Sequence, residues 1–215
     1  MRTVFGVIRI IAAGIILTAI IAQLMYSLSF DLPDVPFFFV NFFSFFTIQS
    51  NVLAAISLLV GAWFCFTRPK DPAWFSLALA ATVTYMATTG VVYNLLLRQV
   101  SLDQASTLGW SNEILHLIAP IYMVLVWLFS PGRTPVAWNR LWVIAVYPVA
   151  WSLYTMLRGA LTGWYPYPFL NPAQPGGYGA VVTYVIAIAS VILLTGAGVV
   201  WLSRRHLPRR SRATT

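Results

Sequence analysis

The chain is 215 residues long, 60% hydrophobic, 15% aromatic and only 8% charged, with a mean hydropathy of +0.80. Soluble domains carry about 25% charged residues, and one of this length could not hide so much apolar surface, so a water-soluble fold is excluded. A formal charge of +8 then reads as the orientation signal of a membrane protein rather than as a nucleic-acid footprint.

The N-terminus, MRTVFGVIRIIAAGIILTAIIAQLMYSLSF, has a basic start and a long apolar run. That run exceeds the about 7–15 residues of a secretory signal core, and no convincing small-x-small cleavage site follows it. It is therefore expected to be a retained first span. Windows of about 20 apolar residues predict spans over 5–28, 39–66, 74–97, 113–130, 139–159 and 178–202. Turn-rich stretches separate them: DLPDVP, TRPKDP, SLDQASTLGWSN, SPGRTP and YPYPFLNPAQPGG. There is no internal repeat and no soluble domain. The expectation is an all-α bundle of six transmembrane helices over residues 1–203, with a basic tail over 204–215. The single cysteine, Cys65, lies in an apolar run, where it packs and has no partner for an intrachain disulfide.

Charge then orients the bundle. With both termini in the cytoplasm, Arg2, Arg9, Arg68, Lys70, Arg133, Arg140, Arg204, Arg205, Arg209, Arg210 and Arg212 fall on the inner side. Only Arg98 and Arg158 fall outside, a division of 11 to 2 among 13 basic residues. Asp31, Asp34, Asp103 and Glu113 go outside, and Asp71 alone goes inside. The tail RRHLPRRSR suits anionic lipid, so the predicted location is a cell membrane, with lipids as partners and no nucleic acid.

Polar side chains gather within the second span, in NFFSFFTIQSN. At 100° per residue, one continuous helix would bring Asn41, Ser44, Thr47 and Asn51 into one arc. Span three carries Tyr85, Thr89 and Tyr93 on one face, with Asn94 and Arg98 toward its end. In span five, Tyr147, Trp151, Tyr154, Thr155 and Arg158 share a stripe. Span four opens with SNEILHLIAP, where Asn112 can cap and Glu113 and His116 lie one turn apart. Pro120 lacks an amide hydrogen, so it frees the carbonyl of His116. Thr47, Asn51, Tyr93, Asn94, Glu113, His116, Thr155 and Arg158 all fall in the outer half. Polar groups at membrane depth must face the bundle interior or a wet cavity, where they serve either as interhelical hydrogen bonds or as a site. His116 and His206 lie on opposite sides of the membrane, so no metal or haem site is expected, and no cofactor.

The segments FFTIQSN, EILHLIAP and YPVAWSLYTMLRGALTGWYPYPFLNP resemble the bacterial six-span relatives of the androgen-induced membrane hydrolases. The resemblance covers nearly the whole chain. Animal members of that family are threonine hydrolases that cleave fatty acid esters of hydroxy fatty acids. The resemblance implies Thr47 as nucleophile, because it follows an aromatic pair and precedes Gln49 and Asn51. It implies His116 as the catalytic histidine, because Pro120 follows it. Where animal members carry a second histidine, this chain offers Asn112 or Glu113.

The chemistry is sound on its own terms. A threonine hydroxyl needs a base to take its proton, which His116 could do. Asn51 or a tyrosine (Tyr93 or Tyr154) could stabilise an oxyanion together with Asn94. Arg158 could hold a lipid carboxylate or phosphate. Glu113 can orient His116 or pair with Arg98 or Arg158, and the sequence leaves these open. The expected function is an integral membrane lipid-ester hydrolase. The alternative is a non-catalytic lipid-binding, transport or assembly protein; against ion-coupled transport, no carboxylate lies near a span's midpoint.

Overall fold

A computed structural model describes residues 1–100 and 107–205 of the chain. Every regular element among them is helical, and six are long and apolar enough to cross a membrane: Arg2–Leu28, Phe46–Thr67, Ala73–Leu97, Gly109–Phe129, Trp138–Thr162 and Gly177–Arg204. The protein is a multi-pass membrane protein. Most of the expected basic tail, from residue 206 on, lies outside the described residues, as does Asp103.

The second expected span, 39–66, is two helices rather than one. Helix α2 (Val35–Ser44) begins on Asp34, whose carboxylate caps the amide of Phe37 at 2.8 Å, and it stops at Phe45, whose backbone is extended (φ −65°, ψ 129°). Helix α3 (Phe46–Thr67) starts immediately afterwards. A break in apolar surroundings orphans backbone groups on both sides, and the polar residues of NFFSFFTIQSN satisfy them. Gln49 Nε2 donates to the carbonyl of Phe43 at 2.7 Å. Ser44 Oγ donates to Val40 at 2.6 Å and accepts from Tyr154 at 2.8 Å. The carbonyl of Ser44 accepts from Trp151 Nε1 at 3.0 Å, and Tyr147 donates to Gln49 Oε1 at 2.5 Å. Tyr147, Trp151 and Tyr154 all come from one stripe of α7 (Leu141–Thr162). The break is thus held from about 100 residues away.

Helix α4 (Ala73–Val92) widens into a π turn over Tyr93–Leu97. The fourth span is α5 (Gly109–Glu113), a π turn over Ile114–Ile118, and α6 (Ala119–Phe129). Two prolines lie inside spans, Pro120 and Pro148, and each frees the carbonyl four residues back. Helix α4 supplies the donor for both: Asn94 Nδ2 reaches His116 O at 3.1 Å, and the Tyr85 hydroxyl reaches Ile144 O at 2.8 Å. Gly90 lets α4 approach Pro120 closely, since a Cβ there would lie 3.0 Å from the proline Cβ.

The inner spans are the second and third, 56% and 61% buried within the protein, against 17% and 22% for the fifth and sixth. The last two therefore present mostly lipid-facing surface. Helix α8 (Gly177–Arg204) is tied by hydrogen bonds near its C-terminus: Trp127 Nε1 donates to Val199 O, and the amide of Val136 donates to Ser203 Oγ, both at 3.0 Å.

The end of the bundle that carries both chain ends is closed by charge. Arg2 meets the buried Asp71 at 2.6 Å and also donates to the carbonyls of Phe64 and Pro131. Asp71 joins two loops, donating its amide to Gly132 O at 2.8 Å and accepting from Thr134 Oγ1 at 2.6 Å. Arg9, fully buried, donates to Ser130 Oγ at 2.6 Å, and Gly61 leaves its guanidinium room.

Candidate functional site

The site is built on two irregular backbones, the start of α3 and the π turn that carries His116. In that turn Ala119 N bonds Ile114 O, five residues back, so the Leu115 carbonyl loses its usual amide. Asn51 Nδ2 takes it at 3.1 Å while also donating to Thr47 O at 2.9 Å. The next carbonyl, His116 O, is the one freed by Pro120 and taken by Asn94. Two asparagines from α3 and α4 therefore clamp the backbone of His116.

The imidazole is held as well. Its Nδ1 lies 3.0 Å from the carbonyl of Asn112, which can only accept, so Nδ1 bears the proton and Nε2 keeps the lone pair. Among the described residues Nε2 has no hydrogen-bond partner. Tyr93 stacks on the ring at a centroid distance of 3.8 Å and accepts from Asn112 Nδ2 at 2.5 Å.

Thr47, buried in the first turn of α3, shares two cavities. One, of about 210 Å³, is lined by Gln23, Thr47, Tyr93, Asn112, His116 and Tyr167 among others. The second, of about 380 Å³, is almost wholly apolar and lies between α3, α4, α7 and α8. Thr47, Tyr93, Leu97 and Tyr167 line both. Thr47 and His116 thus border one chamber, with no hydrogen bond between them. The Thr47 hydroxyl instead lies 3.4 Å from the Tyr167 hydroxyl, which also accepts from the Thr47 amide at 3.4 Å.

Tyr167 is the residue that sequence reasoning missed, within the stretch YPYPFLNPAQPGG read there as turn-rich. Its ring packs edge-on against Phe45 and stacks on Phe169. Burial pushes its phenol above the ordinary range, opposed by hydrogen bonds from Thr47 and the backbone of Phe46. The available signal was the pair of prolines at 166 and 168, which fixes the backbone on both sides of the tyrosine.

The remaining expected site residues stand apart from the cavities. Asn51 is fully buried, with both amide hydrogens on carbonyls, so it has none to offer an oxyanion. Asn94 braces His116 and accepts from Arg98 at 2.5 Å. Glu113 pairs with Arg98 at 2.5 Å, at an exposed position. Tyr154 is bound to Ser44. Arg158 donates to Asn41 Oδ1 at 2.5 Å and lies over the rings of Trp164 and Phe37, with no carboxylate partner among the described residues. No cluster of three or more His, Cys, Asp or Glu side chains suited to a metal ion occurs among the described residues. No protein-family model, no curated protein and no solved structure matches this chain.

Proposed function

We propose that the chain is a lipid-ester hydrolase with Thr47 as nucleophile and His116 as base, as its resemblance to the androgen-induced membrane hydrolases implies. Thr47 Oγ1 adds to the ester carbonyl carbon and passes its proton to His116 Nε2. The imidazolium returns that proton to the departing alkoxide oxygen as the ester bond breaks. Water, deprotonated by the same nitrogen, then cleaves the acyl-threonine and regenerates the hydroxyl. The observation that carries this reading is the shared chamber. A hydroxyl and an unpartnered imidazole nitrogen border it, beside an apolar cavity of about 380 Å³, within the about 300–1,000 Å³ of small-molecule sites. Arg158, with no carboxylate partner among the described residues, would hold an acidic group on a part of the substrate reaching beyond the chamber.

The charge division supports an orientation with both termini in the cytoplasm of a bacterial cell and the site in the outer half of its membrane. An impermeant maleimide added outside should label a cysteine at Asn171 and spare one at Lys70.

The function is tested by treating purified protein with an alkyl fluorophosphonate. The expected result is a covalent adduct on the wild type and none on Thr47→Ala. A second reading, a non-catalytic lipid-binding protein, is favoured by one observation: the Thr47 hydroxyl bonds Tyr167, not His116. Absence of any adduct, with retained binding of a fluorescent fatty acid, would establish that reading instead.

A further inference from the structure

A hydrolase needs a donor for the oxygen that becomes negative when the nucleophile adds, and the expected residue, Asn51, has no free hydrogen. We propose that Tyr167 is a catalytic residue: its phenol O–H binds the ester carbonyl oxygen and stabilises the oxyanion formed as Thr47 adds. This assignment rests on the hydrolase reading of Thr47 and His116 and deepens it.

Position is the first argument. Tyr167 lies on the wall common to the two cavities, within 3.4 Å of the nucleophile's hydroxyl and of its amide. The oxyanion forms one bond from the attacking oxygen, so its donor must stand beside Thr47. Tyr154 donates its proton to Ser44, and Tyr93 stacks on His116 and accepts from Asn112, with no hydrogen bond to Thr47 among the described residues.

Preparation of the phenol is the second argument. Its oxygen accepts from an amide in the first turn of α3, that of Thr47. Amides in a first helical turn lack an intrahelical partner and form the positive end of the helix dipole. Accepting one polarises the O–H and makes it a stronger donor, while burial keeps the proton in place. A neutral donor fixed in a low-dielectric site is what stabilises developing charge. The ring is wedged by Phe45 and Phe169 and its backbone is pinned by Pro166 and Pro168, so little reorganisation accompanies the reaction. The 3.4 Å contact between the two hydroxyls is long enough to yield to a substrate oxygen, while the amide bond to the phenol can tighten in the reacting complex.

The test compares full-length wild type, Tyr167→Phe, Tyr93→Phe and Thr47→Ala in lipid nanodiscs. The readouts are the rate of alkyl fluorophosphonate labelling, turnover of a p-nitrophenyl acyl ester, and binding of a fluorescent fatty acid. In labelling, the Thr47 oxygen bonds phosphorus, fluoride leaves, and the proton goes to His116. The phosphoryl oxygen stands where the carbonyl oxygen would. Tyr167→Phe should lower labelling and kcat by about 10²–10³-fold, with KM and fatty-acid binding nearly unchanged and a smaller effect from Tyr93→Phe. Equal rates for wild type and Tyr167→Phe would overturn the role of Tyr167 and leave the hydrolase standing. Loss of rate together with loss of binding would make Tyr167 a packing wedge and also overturn it. A wild type inert toward both reagents would sink the hydrolase reading and this one with it.

Discussion

The two ends of the bundle treat polar groups in opposite ways. At the end carrying both chain ends, Arg2, Asp71, Gly132 and Thr134 bond one another and close the loops. At the other end, backbones are irregular, asparagines brace them, and His116 Nε2 borders a cavity without a partner among the described residues. Both ends put strongly polar atoms into apolar surroundings, where an unsatisfied group is costly. At the closed end the charged groups face one another across the loops; at the other end an imidazole nitrogen faces a cavity. That difference, more than the number of polar residues, separates a structural latch from a candidate site.

The largest effects should test it directly. Thr47→Ala and His116→Ala should each remove ester hydrolysis, by at least about 10³-fold, while thermal stability in detergent changes little, because neither loss opens a large cavity. If instead Thr47→Ala leaves turnover intact, the open end is no active site. At the closed end the expectation reverses. Asp71→Ala leaves Arg2 partly buried without its counter-charge and should cost about 3 kcal/mol of stability, seen as a lowered Tm, with kcat of the surviving protein unchanged.

A smaller, mixed effect is expected from Asn51→Leu, which orphans the Leu115 carbonyl in the wall of the site. Stability should fall by about 1–3 kcal/mol, and kcat should fall as well, because the turn bearing His116 loses a brace. A stability loss with normal kcat would show that His116 does not depend on that clamp. Arg158→Gln should raise KM about tenfold for esters bearing a free carboxylate and leave neutral esters alone, as loss of one charge-assisted hydrogen bond implies. The smallest effect concerns alkali. The Tyr167 phenol is raised above its ordinary value of 10.0, so the fold favours its neutral form. That contribution is complete below pH 10 and is lost as pH rises beyond it, so alkaline unfolding should be slightly shallower in Tyr167→Phe.

Much of the fold was legible because apolar windows and turn clusters are local signals. Pro120 also announced the freed carbonyl of His116, and the α7 stripe of Tyr147, Trp151 and Tyr154 could be read from spacing alone. The break at Phe45 could not. It carries neither glycine nor proline, and the Ser44 carbonyl at the break is satisfied by Trp151 of α7, far along the chain. The π turn around His116 was hidden for the same reason, since its extra carbonyl is taken by Asn51 from another helix. Asn51 was therefore read as a reagent when its hydrogens serve the backbone. Tyr167 escaped because burial of a loop side chain depends on tertiary packing, which periodicity does not report.

The ties of α8 have a mechanical consequence. Trp127 and Val136 secure it near Val199 and Ser203, while its side chains beside the large cavity, Val185, Ile188 and Ile192 among them, make only dispersion contacts. Dispersion falls off smoothly as surfaces separate, and lipid tails replace it almost without loss. A hydrogen bond to a freed carbonyl has no such substitute in hydrocarbon. The third span's side of the chamber, bolted to the fourth and fifth spans through Asn94 and Tyr85, is thus the stiff wall. The half of α8 beside the cavity is the compliant one, so a chain entering sideways from the bilayer, as the proposed function requires, would meet the least mechanical cost there.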